Sequence, residues 1–384
     1  MTNEVKAPLA GVKVVELARI LAGPWAGQTL ADLGAEVLKI ESPQGDDTRG
    51  WGPPFLELAD NNLEAAYFHS ANRGKRSACV DLSDSQQLNQ LIDLIKEADV
   101  FIENFKVGGL TKYGLDYPSL QALNPKLIYC SITGFGQTGP DAQKPGYDFI
   151  IQGLSGIMDL TGEPDGPPQK MGVAFADVFT GLYAVIGIQA ALRQRQATGL
   201  GQQLDLSLLD CMMAVQANQN MNYLVSGESP TRMGNAHPNI SPYEVIPTSD
   251  GWLILAVGND VQFQRCCEVL EIAHLSRDPR FLNNALRLTN RQALTDIIQS
   301  KSQTWTKENL QQALEQAKVP VGPINSIEEA FANPQVQARQ LVSHLTREDG
   351  LKVPTVNLPV KFSNNAKTTS KPAPALGSGN LTWL

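Results

Sequence analysis

The feature that most constrains this chain is an alternation that begins near its start. VKVVEL (12–17) is a compact apolar run, LAGP supplies a glycine-containing turn, AGQTLADLG has helical character and ends at Gly34, and EVLKIE (36–41) is a second apolar run. Strand, helix and strand in that order make a βαβ unit. The pattern recurs: LNQLIDLIKEA (88–98) has apolar residues three and four apart, DVFIENF (99–105) reads as a strand, and SLQALNP then LIYCSITGFG (127–136) repeats the alternation. Parallel strands require crossovers, and helices in those crossovers cover both faces of the sheet, so the expected class is α/β with a mostly parallel sheet. Ligands of such sheets sit beyond the carboxyl ends of strands, which makes the loop GFGQTGPDAQKPGYD (134–148) a candidate site wall.

The 384 residues suit two or three domains at roughly 150 residues each. The polar, aperiodic stretch 226–243 marks one boundary and VPVGPIN (319–325) a second linker, giving segments 1–225, 226–325 and 326–384. Within the middle segment, EVIPTSDGWLILAVGN reads as a hairpin turning at S-D-G, with helices near 261–271, 290–300 and 307–318. SIEEAFANPQVQARQL reads as a helix, LKVPTVNLPVKFS as extended chain, and the tail from Asn364 as irregular.

Several function classes are disfavoured. A net charge of −8 argues against a nucleic-acid or anionic membrane surface, though not against a local basic patch for a small anion. Five scattered cysteines without C-x-x-C read as reduced thiols and a cytoplasmic location, and four distant histidines give a metal site little support. MTNEVKAPLAG carries no apolar core of a signal peptide. The apolar stretch 178–192 is shorter than the ~20 residues of a membrane span and reads as a buried core helix. G-x-G-x-x-G after the first strand, the Walker A pattern and G-x-S-x-G are all absent.

The stretch GVAFADVFTGLYAVIGIQAALRQRQATGLG (172–201) places Asp177 at the head of that apolar helix. One reading is a helix N-cap, whose carboxylate accepts a backbone N–H two or three residues on. The other is a nucleophile or base: a helix N-terminus favours the anion while apolar surroundings oppose it, leaving a poorly solvated carboxylate suited to attack on a thioester. Arg73, Lys75 and Arg76 in HSANRGKRSACVDLS (69–83) form either a solvated basic turn or a phosphate contact. Lys106 and Lys112 in ENFKVGGLTKYG, with Lys144 in the 134–148 loop, are further basic candidates; Phe105 is either a core aromatic or a stacking face for adenine.

Taken in order, LAGPWAGQTLADLGAEVLKIE, GDDTRGWGPPF, NRGKRS, ADVFIENFKVGGL, LIYCSITGFGQTGP, GYDFIIQGLSGIM, ADVFTGLYA, TGLGQQLDLSLLD, GNAHPNISPYEVIPTSDGW and VPVGPIN resemble the family III CoA-transferases, and within them the succinyl-CoA:glutarate branch. The resemblance implies a Rossmann-like large domain, a smaller inserted α+β domain, a C-terminal segment returning to the first, and an interlocked homodimer. It implies acyl-CoA and a carboxylic acid as substrates, with no tightly bound cofactor or metal. It places the catalytic aspartate of D-x-x-T-G at Asp177, acting through aspartyl anhydride and aspartyl-CoA thioester intermediates. By motif it assigns CoA contacts to Ile20, Leu21, Ala22, Ser42, Asn104, Phe105, Lys106, Lys112, Lys144 and Tyr147. Ser42 and Lys112 stand where some relatives carry arginine. The competing readings are an α-methylacyl-CoA racemase, which uses a histidine where this chain has Tyr147, and a non-catalytic acyl-CoA binding protein. Arg232 and His237 are candidates for shaping the acceptor pocket, and a guanidinium there suits a dicarboxylate.

Overall fold

Six strands, Lys13–Leu17 (β1), Glu36–Glu41 (β2), Arg76–Cys79 (β3), Val100–Glu103 (β4), Ile128–Thr133 (β5) and Gln202–Ser207 (β6), form one parallel sheet in the order β3-β2-β1-β4-β5-β6. Val14 of β1 lies opposite Val37 on one side and Val100 on the other. The order is that of a doubly wound Rossmann-like sheet, and it reverses between β1 and β4. The crevice at their carboxyl ends is therefore the topological switch point, where such sheets bind ligands.

This computed structural model describes residues 6–58, 62–364 and 371–383. The expectation drawn from the first residues falls in part on 1–5, and that of an irregular tail in part on 365–370 and 384; these lie outside the described residues. The chain divides into two units: Met1–Ile157, Lys170–Glu228 and Ala338–Leu384 make one, Met158–Gln169 and Ser229–Gln337 the other.

Both faces of the sheet are buried, as a parallel sheet requires. Val14, Val37, Val100, Ile102, Ile128 and Cys130 pack with helix Ala22–Asp32 (α1), while Val15, Leu38, Phe101 and Tyr129 pack with helix Ser85–Lys96 (α2). Asp84 starts α2 by accepting the N–H groups of Gln86 and Gln87. Helix Asp148–Leu154 (α3) and the long helix Phe175–Thr198 (α4) join β5 to β6, and helix Leu208–Ala214 (α5) follows β6. A Cβ on Gly181 of α4 would stand 2.7 Å from the carbonyl oxygen of Ala22 and 3.0 Å from the Cβ of Trp25, so glycine permits the close approach of α4 to α1.

One expectation for α4 is corrected. The apolar run is not buried all round: Ala184, Val185, Ile188 and Leu192 lie in the core, whereas Leu182, Tyr183 and Ile186 are exposed. One face packs on the sheet and α1, and the other finds no cover among the described residues. At 24 residues α4 also has the length and composition to cross a membrane, but its inward face is part of the protein core.

In the second unit, Tyr243–Thr248 (β7), Gly251–Ala256 (β8) and Val321–Pro323 (β9) form an antiparallel sheet ordered β9-β8-β7. Gly251 pairs with Thr248 across the expected two-residue turn. Helices Asp260–Val269, Arg291–Ser302 and Lys307–Gln316 bury Phe263, Leu294 and Leu310 against Ile246, Leu253 and Leu255. The single helix expected over SIEEAFANPQVQARQL is two, Ile327–Ala332 and Pro334–Ala338. Asn333 is extended because the proline after it disfavours helical backbone.

Candidate active site

The site is built around the turn that leaves β1 at the switch point. Lys39 Nζ donates to the carbonyl of Ala18 at 2.7 Å. Asn104, just past β4, accepts the N–H of Arg19 at 3.0 Å and donates to its carbonyl at 2.8 Å. Asp46 accepts the N–H of Ile20. One side chain from across the crevice thus satisfies both polar groups of Arg19, and the turn is fixed where α1 begins.

On the other side, a pair of glycines lets the 134–148 loop lie against the end of β5. A Cβ on Gly134 would stand 2.4 Å from the Cα of Gly146, and one on Gly146 would stand 2.3 Å from the Cα of Gly134, so neither position accepts a larger residue. This contact delivers Tyr147 and Asp148 to the start of α3. Asp148 Oδ1 then accepts the N–H of Ala176 at 2.8 Å and of Asp177 at 3.4 Å, while its Oδ2 accepts from Gln152 Nε2 at 2.7 Å.

Asp177 sits in the first turn of α4 without capping it. The residue before the helix is Ala174, and the exposed N–H groups are taken by Asp148. The Asp177 carboxylate is half-buried and its pKa is pushed up to about 7, first by loss of hydration and second by the negative charge of Asp148. Opposing this, the positive end of the α4 dipole favours the anion. A carboxylate near half-ionised at neutral pH and poorly hydrated is a stronger nucleophile than an ordinary aspartate. The hydroxyl of Tyr67 feels the same acids: burial first, then Asp177, Asp148 and Asp46, raise its pKa.

A cavity of about 280 Å³ is lined by Ile20, Leu21, Ala22, Asn104, Phe105, Lys106, Lys144, Tyr147 and Asp177, together with Asp148. Nine of the eleven residues that the resemblance assigns to catalysis and CoA contact therefore meet in one place. Ser42 lies instead on a neighbouring cavity of about 410 Å³, which shares Arg19 and Phe105 with the first. Lys112 lines neither of these; it is exposed, with its ammonium 4.6 Å from the Tyr113 ring centre. Lys144 pairs with Asp141 at 2.7 Å, both on the surface. In the second unit Arg232 is engaged by Asp159 at 2.7 Å, and the His237 ring packs on Tyr243.

The chain matches the family model described as CoA-transferase family III over residues 9–380. It belongs to CoA-transferase family III. It is similar to the succinate–glutarate CoA-transferase of Agrobacterium fabrum, with 58% identity over 97% of this chain and 94% of that protein. The human succinyl-CoA:glutarate CoA-transferase is 39% identical over 98% of this chain and 84% of that one. Among solved structures, a CaiB/BaiF family protein from Brucella suis superposes with a TM-score of 0.86 at 55% identity, covering 97% of both chains. The protein is thus a family III CoA-transferase, an enzyme that uses CoA thioesters as substrates.

The basic turn is a correction within this family frame. Arg73 forms a fork on Asp32 and reaches the carbonyl of Val356, Lys75 is buried on Glu16, and Arg76 pairs with Glu36 and the carbonyl of Thr382. All three are consumed by the protein's own groups, which removes them as phosphate ligands. The sequence reading missed Asp148 as the partner of Asp177. Its signal was present in the GYD of the loop, but 28 residues separate it from Ala176. Among the described residues no cluster of His, Cys, Asp and Glu could hold a metal ion.

Proposed function

We propose that this family III CoA-transferase moves CoA from a dicarboxylic acyl-CoA to a second dicarboxylic acid, with Asp177 as the covalent nucleophile. The observation that carries the reading is Asp177 at the head of α4, lining the switch-point cavity with its pKa near 7. Asp177 Oδ attacks the thioester carbonyl and expels CoA thiolate, forming an anhydride. The thiolate attacks the aspartyl carbonyl, releasing the donor acid and leaving an aspartyl-CoA thioester. The acceptor carboxylate attacks that thioester and again frees the thiolate. The thiolate finally attacks the acceptor's acyl carbon, giving the new acyl-CoA and regenerating the Asp177 carboxylate. Raising the basicity of Asp177 makes its anhydride less activated, which brings that intermediate closer in energy to the thioesters on either side.

The CoA contacts follow the cavity: Ile20, Leu21 and Ala22 beside the pantetheine arm, Asn104, Phe105 and Lys106 past β4, and Lys144 and Tyr147 from the loop, with Ser42 and Lys112 further along the nucleotide. The choice of succinyl-CoA and glutarate as substrates to test rests on the activities for which the relatives at 58% and 39% identity are named. The exposed Leu182, Tyr183 and Ile186 of α4 and Phe149, Ile150 and Leu154 of α3 support a homodimer that covers them. The free cysteines fit work in the cytoplasm. The test is CoA exchange between succinyl-CoA and glutarate by the wild-type enzyme and Asp177→Asn. Exchange by the first and none by the second is expected; full exchange by Asp177→Asn contradicts the reading.

A further inference from the structure

Ile20 has φ of 70°, in the left-handed region that a β-branched residue avoids for steric reasons. It nevertheless stands at the wall of the cavity that holds Asp177. Its N–H is held by both carboxylate oxygens of Asp46, at 3.3 and 3.2 Å. Asp46 is itself buried and fully engaged. Its Oδ1 accepts from the N–H of Thr48 at 3.0 Å and the Thr48 hydroxyl at 2.8 Å, and its Oδ2 pairs with Lys39 Nζ at 2.9 Å. Its own N–H donates to Glu41 Oε2 at 2.9 Å. Lys39 in turn holds the carbonyl of Ala18, so the same pair of buried charges grips the turn on both sides of Arg19. Asp46 does not line the Asp177 cavity; it reaches the wall through the Ile20 N–H and, by way of Lys39, through the Ala18 carbonyl.

The geometry points to Asp46 as a positioning residue for acyl transfer: it holds the left-handed backbone of Ile20 and thereby fixes the Ile20–Ala22 wall against which the reacting thioester is placed. This inference rests on the proposal that the Asp177 cavity is the reacting site. In Asp46→Asn one carboxylate oxygen becomes an NH₂. With Thr48 retaining Oδ1, that donor takes the place of Oδ2 opposite the Lys39 ammonium and the Ile20 N–H, so the 3.2 Å bond to Ile20 is lost and only the 3.3 Å bond to Oδ1, which Thr48 shares, remains. Ile20→Gly removes the steric objection to positive φ, so the turn no longer needs the hold.

The experiment is a double-mutant cycle on the full-length enzyme with succinyl-CoA and glutarate. Asp46→Asn is made in the wild-type and in the Ile20→Gly background, with thermal unfolding followed in parallel. In the wild-type background, kcat is expected to fall on the order of 10²-fold, as for a misplacement of about 1 Å, with a much smaller change in KM for the acyl-CoA. In the Ile20→Gly background the same substitution is expected to cost less than about threefold, because glycine adopts the positive φ without that hold. An equal loss in both backgrounds overturns the inference, since a merely structural Asp46 would be insensitive to residue 20. If Asp46→Asn does not fold, Thr48→Val weakens the same carboxylate while leaving the Lys39 pair, and the cycle is run with it. Asp177→Asn is assayed alongside. An inactive Asp177→Asn with an additive cycle removes only the role of Asp46, whereas full turnover by Asp177→Asn removes the reacting site and this inference with it.

Discussion

The carboxylate of Asp148 accepts the backbone N–H of Ala176 at 2.8 Å and that of Asp177 at 3.4 Å. The two acids divide the tasks of a helix start. Asp148 satisfies the orphan N–H groups, and the Asp177 side chain is left free of capping duty. The same proximity lets the charge of Asp148 add to desolvation in raising the Asp177 pKa.

Asp148→Asn keeps an oxygen for the cap and removes the charge. Without that charge the Asp177 pKa falls, so the acid limb of kcat/KM, expected near pH 7 for the wild type, is expected at lower pH in the variant. Because desolvation is the larger cause, the limb stays above the range of an ordinary aspartate. A pH–rate profile of both enzymes checks this; an unmoved limb removes Asp148 from the electrostatics of the site.

The pKa also has a stability consequence. The folded value of about 7 lies above the 3.8 of an unperturbed aspartate. Between these values the native state holds a proton that the unfolded chain has lost, so this group makes stability fall as pH rises through the window and keeps it lower above pH 7. Asp177→Asn removes that penalty. The variant is expected to be more stable than wild type by about 1–3 kcal/mol at pH 8 and by less at pH 5, a range discounted for partial solvent access. Denaturant titrations at the two pH values decide it, and an equal difference at both contradicts the raised pKa.

Gly181→Ala places a Cβ against the Ala22 carbonyl and Trp25, at the contact of α4 with the start of α1. Overpacking of this kind costs about 1–3 kcal/mol, and here it also displaces the wall of the site, so kcat falls together with stability. Gly187 on the same helix meets only Leu204 at 3.4 Å, and Gly187→Ala is expected to destabilise far less. Equal stability losses would show that the α1–α4 approach is not tight.

Lys106 lines the Asp177 cavity, whereas Lys112 stands outside it over Tyr113. Lys106→Ala is therefore expected to weaken CoA binding by about tenfold, an electrostatic loss of roughly 1.4 kcal/mol, and Lys112→Ala by less. Calorimetric titration with CoA ranks them. The reverse ranking would place the nucleotide further along the chain than the cavity suggests.

Much of this architecture is legible in the sequence because period and turn chemistry act locally. VKVVEL and EVLKIE are strands where the spacing puts them, whereas the helix between them spans Ala22–Asp32 and so takes in most of LAGP, read as a turn, because the first turn of a helix tolerates Pro24. The residues of the β1 turn and of ENFK come together because strands 1 and 4 are sheet neighbours at the switch point, a consequence of topology and not of local sequence. What stayed hidden was pairing at a distance. Nothing near Asp177 tells that its helix is capped from Asp148, and nothing in NRGKRS tells that its charges meet Asp32, Glu16 and Glu36. The open face of α4 was hidden for a different reason: an apolar side chain carries the same signal whether its cover comes from its own chain or from another.

The most direct measurement is hydroxylamine trapping read by peptide mass spectrometry. The enzyme is incubated with succinyl-CoA, treated with hydroxylamine and digested. An aspartyl anhydride or thioester is converted to a hydroxamate, so the expected result is that mass increase on Asp177, absent without acyl-CoA. Active enzyme that turns over under the same conditions, with Asp177 unmodified in the trapped sample, would contradict covalent catalysis by this residue.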